Sequence, residues 1–284
     1  MKLGVVCEGG ANRTIFSCGV LDVFLEENLL PDYFIGVSAG IAYGISYLAK
    51  QKGRNLELME TYMADKRYMG MRHLIDRGER AYYNTKFVFD EVPNTLLPID
   101  YEAFAAYPGK VEAVVTNIHT GRAEYFEVPR DREMRDILVA SCALPVLFQP
   151  VKIGGHYYLD GGLSDSIPYE RARAEGCDKL IVILTRERGY VKSKERGAVT
   201  LTNRLYKRYP KIVEDLRLRP ERYNECADRL AELEQRGDVF VIRPNTTYGV
   251  GRTETDAVKL RQLYDQGVGI ARAQMGPLRK YLEE

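Results

Sequence analysis

Histidine, paired cysteine, net charge and long apolar runs are all scarce in this chain of 284 residues. Its three histidines, His73, His119 and His156, leave little material for imidazole chemistry, and none follows His156. The five cysteines, Cys7, Cys18, Cys142, Cys177 and Cys226, are odd in number and never spaced Cys-x-x-Cys. That pattern suggests neither a disulfide framework nor a zinc site and implies reduced, mostly buried thiols. Lys plus Arg number 41 against 40 Asp plus Glu, a net charge of +1. Without a basic excess to neutralise phosphates, a dedicated nucleic-acid binder is not expected. No run approaches the roughly 18 apolar residues that span a bilayer, and Leu3 to Cys7 is too short for a signal-peptide core. A cytoplasmic location is expected. The 12 Pro and 25 Gly are scattered rather than gathered into a linker, so residues 1–284 read as a single domain.

What is present is enough apolar material, 45% of residues, to bury a substantial core. Residues 2–7 read as a strand, followed by the loop Glu8-Gly9-Gly10-Ala11-Asn12-Arg13 and the helical pattern Ile15, Val20, Leu21, Phe24, Leu25. A second such unit follows: a strand at Tyr33 to Ile35, a turn at Gly36 to Gly40, a helix from Ile41 to Lys50. Consecutive strand-helix units imply a parallel sheet. Further strands are expected at residues 111–116, 123–128, 157–159, 179–185 and 239–243, and a long helix from 256 to 283. The economical arrangement is a three-layer α/β/α sandwich. Residues 56–107 are less regular and hold Met59, Met63, Met69 and Met71 beside Tyr62, Tyr68, Tyr82, Tyr83, Phe87 and Phe89. Such side chains serve either as ordinary core filling or as the lining of a greasy pocket.

Three patterns carry chemistry. Gly36-Val37-Ser38-Ala39-Gly40 is a G-x-S-x-G between strand and helix, where a strained turn needs small residues two before and two after the serine. With 25 Gly and 7 Ser in the chain, chance supplies roughly 0.05 such patterns, and the strand and helix flanks strengthen the signal. The base that usually follows, a late histidine, is missing, which weakens an ordinary Ser-His-Asp triad. Asp160-Gly161-Gly162, after the strand at 157–159, is on its own most simply a turn. The Gly9 to Arg13 loop opens a helix and offers successive amides to an anion, but has neither dinucleotide nor P-loop spacing.

Together, and in this order, the glycine loop ending in Arg13, the elbow around Ser38 and Asp160-Gly161-Gly162 resemble the patatin-like phospholipase family, single-domain bacterial type. The resemblance extends to residues 140–145 with Phe148 and to residues 165–168, and spans about residues 2–185. The helical part from about 186 to 284 carries no matching motif. The resemblance implies Ser38 as nucleophile and Asp160 as its base, which explains the missing histidine. It implies Gly9, Gly10 and Ala11 as oxyanion hole, Arg13 as loop support, Gly36 and Gly40 as elbow residues, and Gly161 and Gly162 behind the base. It implies a lipid or phospholipid ester as substrate, with no metal and no organic cofactor. Two positions depart from the family pattern, Ala11 and Thr14 standing where a glycine is usual; an alanine at positive φ is strained. The loop alone would also suit a non-catalytic binder of phosphate or a lipid headgroup, and the same dyad would serve an acyltransferase or thioesterase.

Charge is uneven. Between Arg186 and Tyr223, Lys and Arg number 12 against 5 Asp and Glu, interleaved with Tyr190, Leu201, Leu205, Tyr206 and Tyr209. The segment reads either as a solvated helical face or as a peripheral contact with an anionic membrane surface, with Lys192, Lys194, Lys207 and Lys211 in the patch.

Overall fold

Strands alternate their side chains between two faces, so a strand covered on both sides is apolar at nearly every position. Residues 3–7 and 180–183 have that character. In the computed structural model, which describes residues 1–75, 80–194 and 196–284, they lie at the centre of a sheet. The strands are β1 (Leu3–Cys7), β2 (Tyr33–Val37), β3 (Lys110–Asn117), β4 (Ala123–Glu127), β5 (Val151–Ile153), β6 (His156–Asp160), β7 (Lys179–Ile183) and β8 (Phe240–Ile242). Their order is β5-β6-β3-β2-β1-β7-β8, with β4 also on β3. β1, β2, β3, β7 and β8 are parallel, whereas β4 and β6 pair antiparallel with β3, and β5 with β6.

The period of two decides the layers. Val5, Cys7, Phe34, Ile181 and Ile183 face one core with α1 (Ile15–Glu26), α2 (Ala39–Leu48) and α9 (Ala257–Glu283). Val6, Tyr33, Ile35, Leu180 and Val182 face the other, with α6 (Tyr169–Ala174) and α8 (Pro210–Gln235). The chain is thus the mainly parallel α/β/α sandwich its sequence implies. Shorter helices complete it: α3 (Arg54–Tyr62), α4 (Tyr101–Ala106), α5 (Met134–Cys142) and α7 (Arg196–Leu205).

The motif-free end of the chain is built into the sandwich. Helix α9 lies against α1 so closely that a methyl on Gly19 would sit 2.3 Å from the Tyr264 carbonyl oxygen, and one on Gly267 would sit 2.2 Å from that of Phe16. The Tyr281 hydroxyl accepts from the Leu180 amide at 2.9 Å, fixing the end of α9 to β7. Among the described residues, no helix is long and apolar enough to cross a membrane.

Two expectations change. In the 56–107 stretch Met59 and Met63 are buried in the core, Met69 packs half-buried against it and Met71 is exposed, so none of the four lines the large apolar cavity described below. A π-helical segment, Phe87–Leu96, occupies the centre of the stretch. In the basic segment the aromatic residues turn inward. Tyr206 is buried, the Tyr209 ring packs on His119, and Tyr190 packs on Tyr223. Leu201, Leu205 and Val191 remain exposed.

The contact between α1 and α9 gives a direct test. Gly267→Ala should lower stability by about 1–3 kcal/mol, because the two backbones must part to admit the methyl. Gly269→Ala, in the same helix with nothing within 4 Å of its added Cβ, should hold or raise stability, since glycine is a poor helix former. Thermal unfolding of both variants measures the difference.

Candidate active site

Strand β2 ends at Val37 and α2 begins at Ala39, so the expected turn contracts to Ser38 alone. Its backbone sits at φ 55, ψ −128, a strained conformation for an L residue that persists only where the surroundings enforce it. They do so by close approach. A methyl on Gly36 would lie 2.5 Å from the Ile41 nitrogen, and one on Gly40 would lie 2.5 Å from the Cys7 carbonyl oxygen. The Ser38 amide donates to the Ser141 hydroxyl at 2.9 Å, which donates to the Val114 carbonyl at 2.8 Å. Ser141 is fully buried and joins the turn to β3. Its place in residues 140–145 was visible in the sequence; its bond to Ser38 was not, because it depends on the packing of α5 over β3.

Asp160 ends β6. Val114 pairs with Val37 and Val115 with Asp160, so β3 holds the serine and the aspartate on either side of itself. The Asp160 carboxylate is 2% exposed and accepts from the Gly162 amide at 2.7 Å. Its carbonyl accepts from the Thr116 hydroxyl at 2.8 Å, and its amide donates to the Ala143 carbonyl at 2.8 Å. Burial pushes its pKa above the usual aspartate range, while Arg219, a hydrogen bond from Ser38 and the Gly162 amide oppose the rise. A carboxylate made more basic and lining the same cavity as a serine is equipped to act as a base toward it. Gly161 follows so tightly against β3 that a methyl would lie 2.2 Å from the Val114 oxygen.

The glycine loop closes the site from the β1 side. Gly9, Gly10 and Ala11 line the space beside Ser38, and among the described residues none accepts a hydrogen bond from their amides. Ala11 adopts φ 48, the strained conformation its side chain disfavours. Arg13 is buried, and burial with the neighbouring Arg186 pulls its guanidinium down to about 10. Glu8, also buried, accepts from the Thr185 amide at 2.6 Å and the Tyr223 hydroxyl at 2.8 Å.

Ser38 stands where two cavities meet. The larger, about 1060 Å³ and open to solvent, is mainly apolar, with Leu58, Tyr83, Val88, Phe89, Ile99 and Leu138 in its walls. Of the aromatic residues singled out in the 56–107 stretch, Tyr68, Tyr83 and Phe89 therefore do line a greasy pocket, whereas Tyr62, Tyr82, Phe87 and the methionines of that stretch are not in its walls. The smaller, about 500 Å³, is polar and contains Asp160 and the glycine loop. Among the described residues no histidine lines either cavity, and no group of three or more His, Cys, Asp or Glu is arranged to hold a metal ion.

The patatin-like phospholipase family matches residues 5–173, and a domain of unknown function, DUF6363, matches residues 209–283. The uncharacterized protein YjjU of Escherichia coli (strain K12) is 29% identical over 186 residues, 65% of this chain and 52% of that protein. The probable lipid hydrolase 463L of Invertebrate iridescent virus 6 is 25% identical over 187 residues, 59% of this chain and 62% of that protein. The chain thus spans about half to three-fifths of the length of these relatives. The crystal structure of VipD from Legionella pneumophila aligns with a TM-score of 0.42 at 13% identity, over 96% of this chain and 67% of that one. With its match covering more than half of the residues, the chain belongs to the patatin-like phospholipase family.

Proposed function

We propose that the chain, residues 1–284 acting as one domain, is a serine acyl hydrolase that cleaves carboxylic esters of lipids through an acyl-enzyme. The observation that carries this reading is the position of Ser38: its strained turn borders both the polar cavity that contains the buried Asp160 carboxylate and a mainly apolar cavity. The viral relative described as a probable lipid hydrolase supports it. The Ser38 oxygen attacks the ester carbonyl as Asp160 takes its proton. The amides of Gly9, Gly10 and Ala11 receive the negative oxygen, with Arg13 supporting the loop. Asp160 then returns the proton to the departing alcohol, water repeats the sequence with Asp160 again as base, and the fatty acid leaves. The strain at Ser38 weighs against a purely binding role, since a turn serving only as a connection needs no enforced left-handed residue. Contact with a lipid surface falls, on this reading, to the exposed Val191, Leu201 and Leu205 beside Lys194 and Lys207.

A fluorophosphonate probe should label the wild-type chain and leave Ser38→Ala unlabelled. Ser38→Ala and Asp160→Asn should each reduce ester hydrolysis by at least about 10³-fold in folded protein, and the double variant should be no worse, because residues acting as a unit do not add. Full turnover in folded Ser38→Ala would sink the reading.

The base must be ionised to work, and burial raises its pKa, so kcat/KM should climb with pH through a limb lying above the usual aspartate range. Gln in place of His73, His119 and His156 should leave that limb in position and activity within about tenfold of wild type, since a histidine base typically contributes 10²-fold to 10⁴-fold. Loss of the limb in any one histidine variant would transfer the base role to that residue.

A further inference from the structure

The large apolar cavity beside Ser38 ends in polar groups, and two helices measure how far away they are. Ala39, Ala42 and Tyr43 of α2 line one wall, and Cys142, Leu138 and Met134, one face of α5, line another. The bond from the Ser38 amide to Ser141 fixes the Cys142 end of α5 beside the serine. The other end of α5 and the body of α2 therefore lead away from Ser38. There Arg54 lines the cavity, its Nη1 bonded to the Ser46 hydroxyl at 3.0 Å. Ser46 lies just over two turns of α2 beyond Ser38, about 12 Å at the helical rise.

Arg54 is a buried charge held by neutral oxygens. It is 6% exposed, and besides Ser46 it donates to the Leu97 carbonyl at 2.5 Å and the Pro98 carbonyl at 3.4 Å. Those bonds occupy three of the five N–H donors of a guanidinium, and among the described residues no carboxylate forms an ion pair with it. Burial pulls its pKa down to about 10, opposed by Tyr101, Tyr68 and the exposed Glu57, so it stays charged at neutral pH. Around it the cavity wall is polar. The Tyr101 hydroxyl donates to Asn94 at 2.8 Å, and Arg132 stands exposed at the rim, close enough for Tyr101 to feel both arginines. The one carboxylate in the wall among the described residues, Asp90, accepts from the Asn94 amide at 2.9 Å. A methyl terminus seated at this end would press hydrocarbon against a guanidinium with donors to spare, at a cost in desolvation. A carboxylate terminus would accept from those donors and supply the missing counter-charge.

We propose that the distal end of the cavity is a carboxylate subsite formed by Arg54 and Arg132, and that the chain prefers acyl groups ending in a carboxylate, the half-esters of α,ω-dicarboxylic acids, over plain alkanoyl groups. The assignment rests on the acyl-hydrolase reading for placing the ester carbonyl at Ser38. A fully extended chain advances about 1.2 Å per bond, so the span to Arg54 corresponds to about ten bonds and suits a decanedioyl group.

The test uses the full chain and four p-nitrophenyl esters: decanoate, hydrogen decanedioate, butyrate and hydrogen succinate. The kcat/KM for the decanedioate half-ester should exceed that for decanoate by at least about tenfold, the scale of a charge-assisted hydrogen bond. The succinate half-ester, too short to reach Arg54, should show no advantage over butyrate. Arg54→Gln should bring the ratio of decanedioate to decanoate close to one, and Arg132→Gln, at the exposed rim, should lower it; if Arg54→Gln does not fold, Arg132→Gln and the two chain lengths decide. Equal or better turnover of decanoate overturns the proposal, as does a ratio unmoved in every folded variant. The same preference for the carboxylate at both lengths would assign it to general attraction of anions and also overturn the subsite. If no ester is hydrolysed, binding of methyl hydrogen decanedioate at least about tenfold tighter than methyl decanoate leaves the subsite standing while the hydrolase reading fails; equal binding overturns both.

Discussion

The backbone of Ser38 stands at φ 55, a conformation that costs an L residue about 1–3 kcal/mol, and the packing around it is arranged to hold it there. Gly40 presses α2 onto the Cys7 carbonyl at the end of β1, and Gly36 presses β2 onto the start of α2. Ser141 ties the same turn to β3 from α5. Five elements therefore agree on where the Ser38 oxygen lies before any substrate arrives. Asp160 is fixed by the same strand, β3, through the pairing of Val115 and its own bond from Thr116. The serine and the carboxylate are thus placed by sheet register, which is rigid, rather than by loops, which are not.

Local patterns made much of this legible. The continuous apolar runs at residues 3–7 and 180–183 marked central parallel strands, and the small residues around Ser38 marked a turn too tight for side chains on either side. Asp160 was different. Asp-Gly-Gly is by itself a turn, and only its resemblance to a family pattern attached it to Ser38; the register that brings it beside the serine is a long-range pairing invisible to local periodicity. Burial, which raises its basicity, is likewise a property of α5 and the Gly161 turn closing over it. The basic segment after residue 185 misled in part. Its count of charges was correct, but sequence order does not say which side of a helix faces inward, and Arg186, Lys192 and Arg219 line the cavity beside Ser38 while Tyr190, Tyr206 and Tyr209 pack inside.

The far end of the chain gains a meaning from that arrangement. Helix α9 is locked against α1 by two glycine contacts and against β7 by Tyr281, and α8 covers the other face of the sheet with Tyr223, Leu230 and Leu233. Tyr223 also bonds Glu8 at the head of the glycine loop. The family-matched part holds Ser38, Asp160 and the amides of Gly9 to Ala11, and the later part closes the second core and contributes Arg186, Lys192, Arg219 and Arg252 to the cavity beside Ser38.

The central claim is that a lipid ester passes through a covalent bond to Ser38. Acid quench during turnover of an acylglycerol ester, followed by peptide mass spectrometry, tests it most directly. The account predicts an acyl group on the peptide containing Ser38, accumulating in the Asp160→Asn variant only to the extent that acylation still proceeds. An acyl adduct on any other side chain, or continued turnover with no adduct when deacylation is made slow by a hindered acyl group, would contradict it.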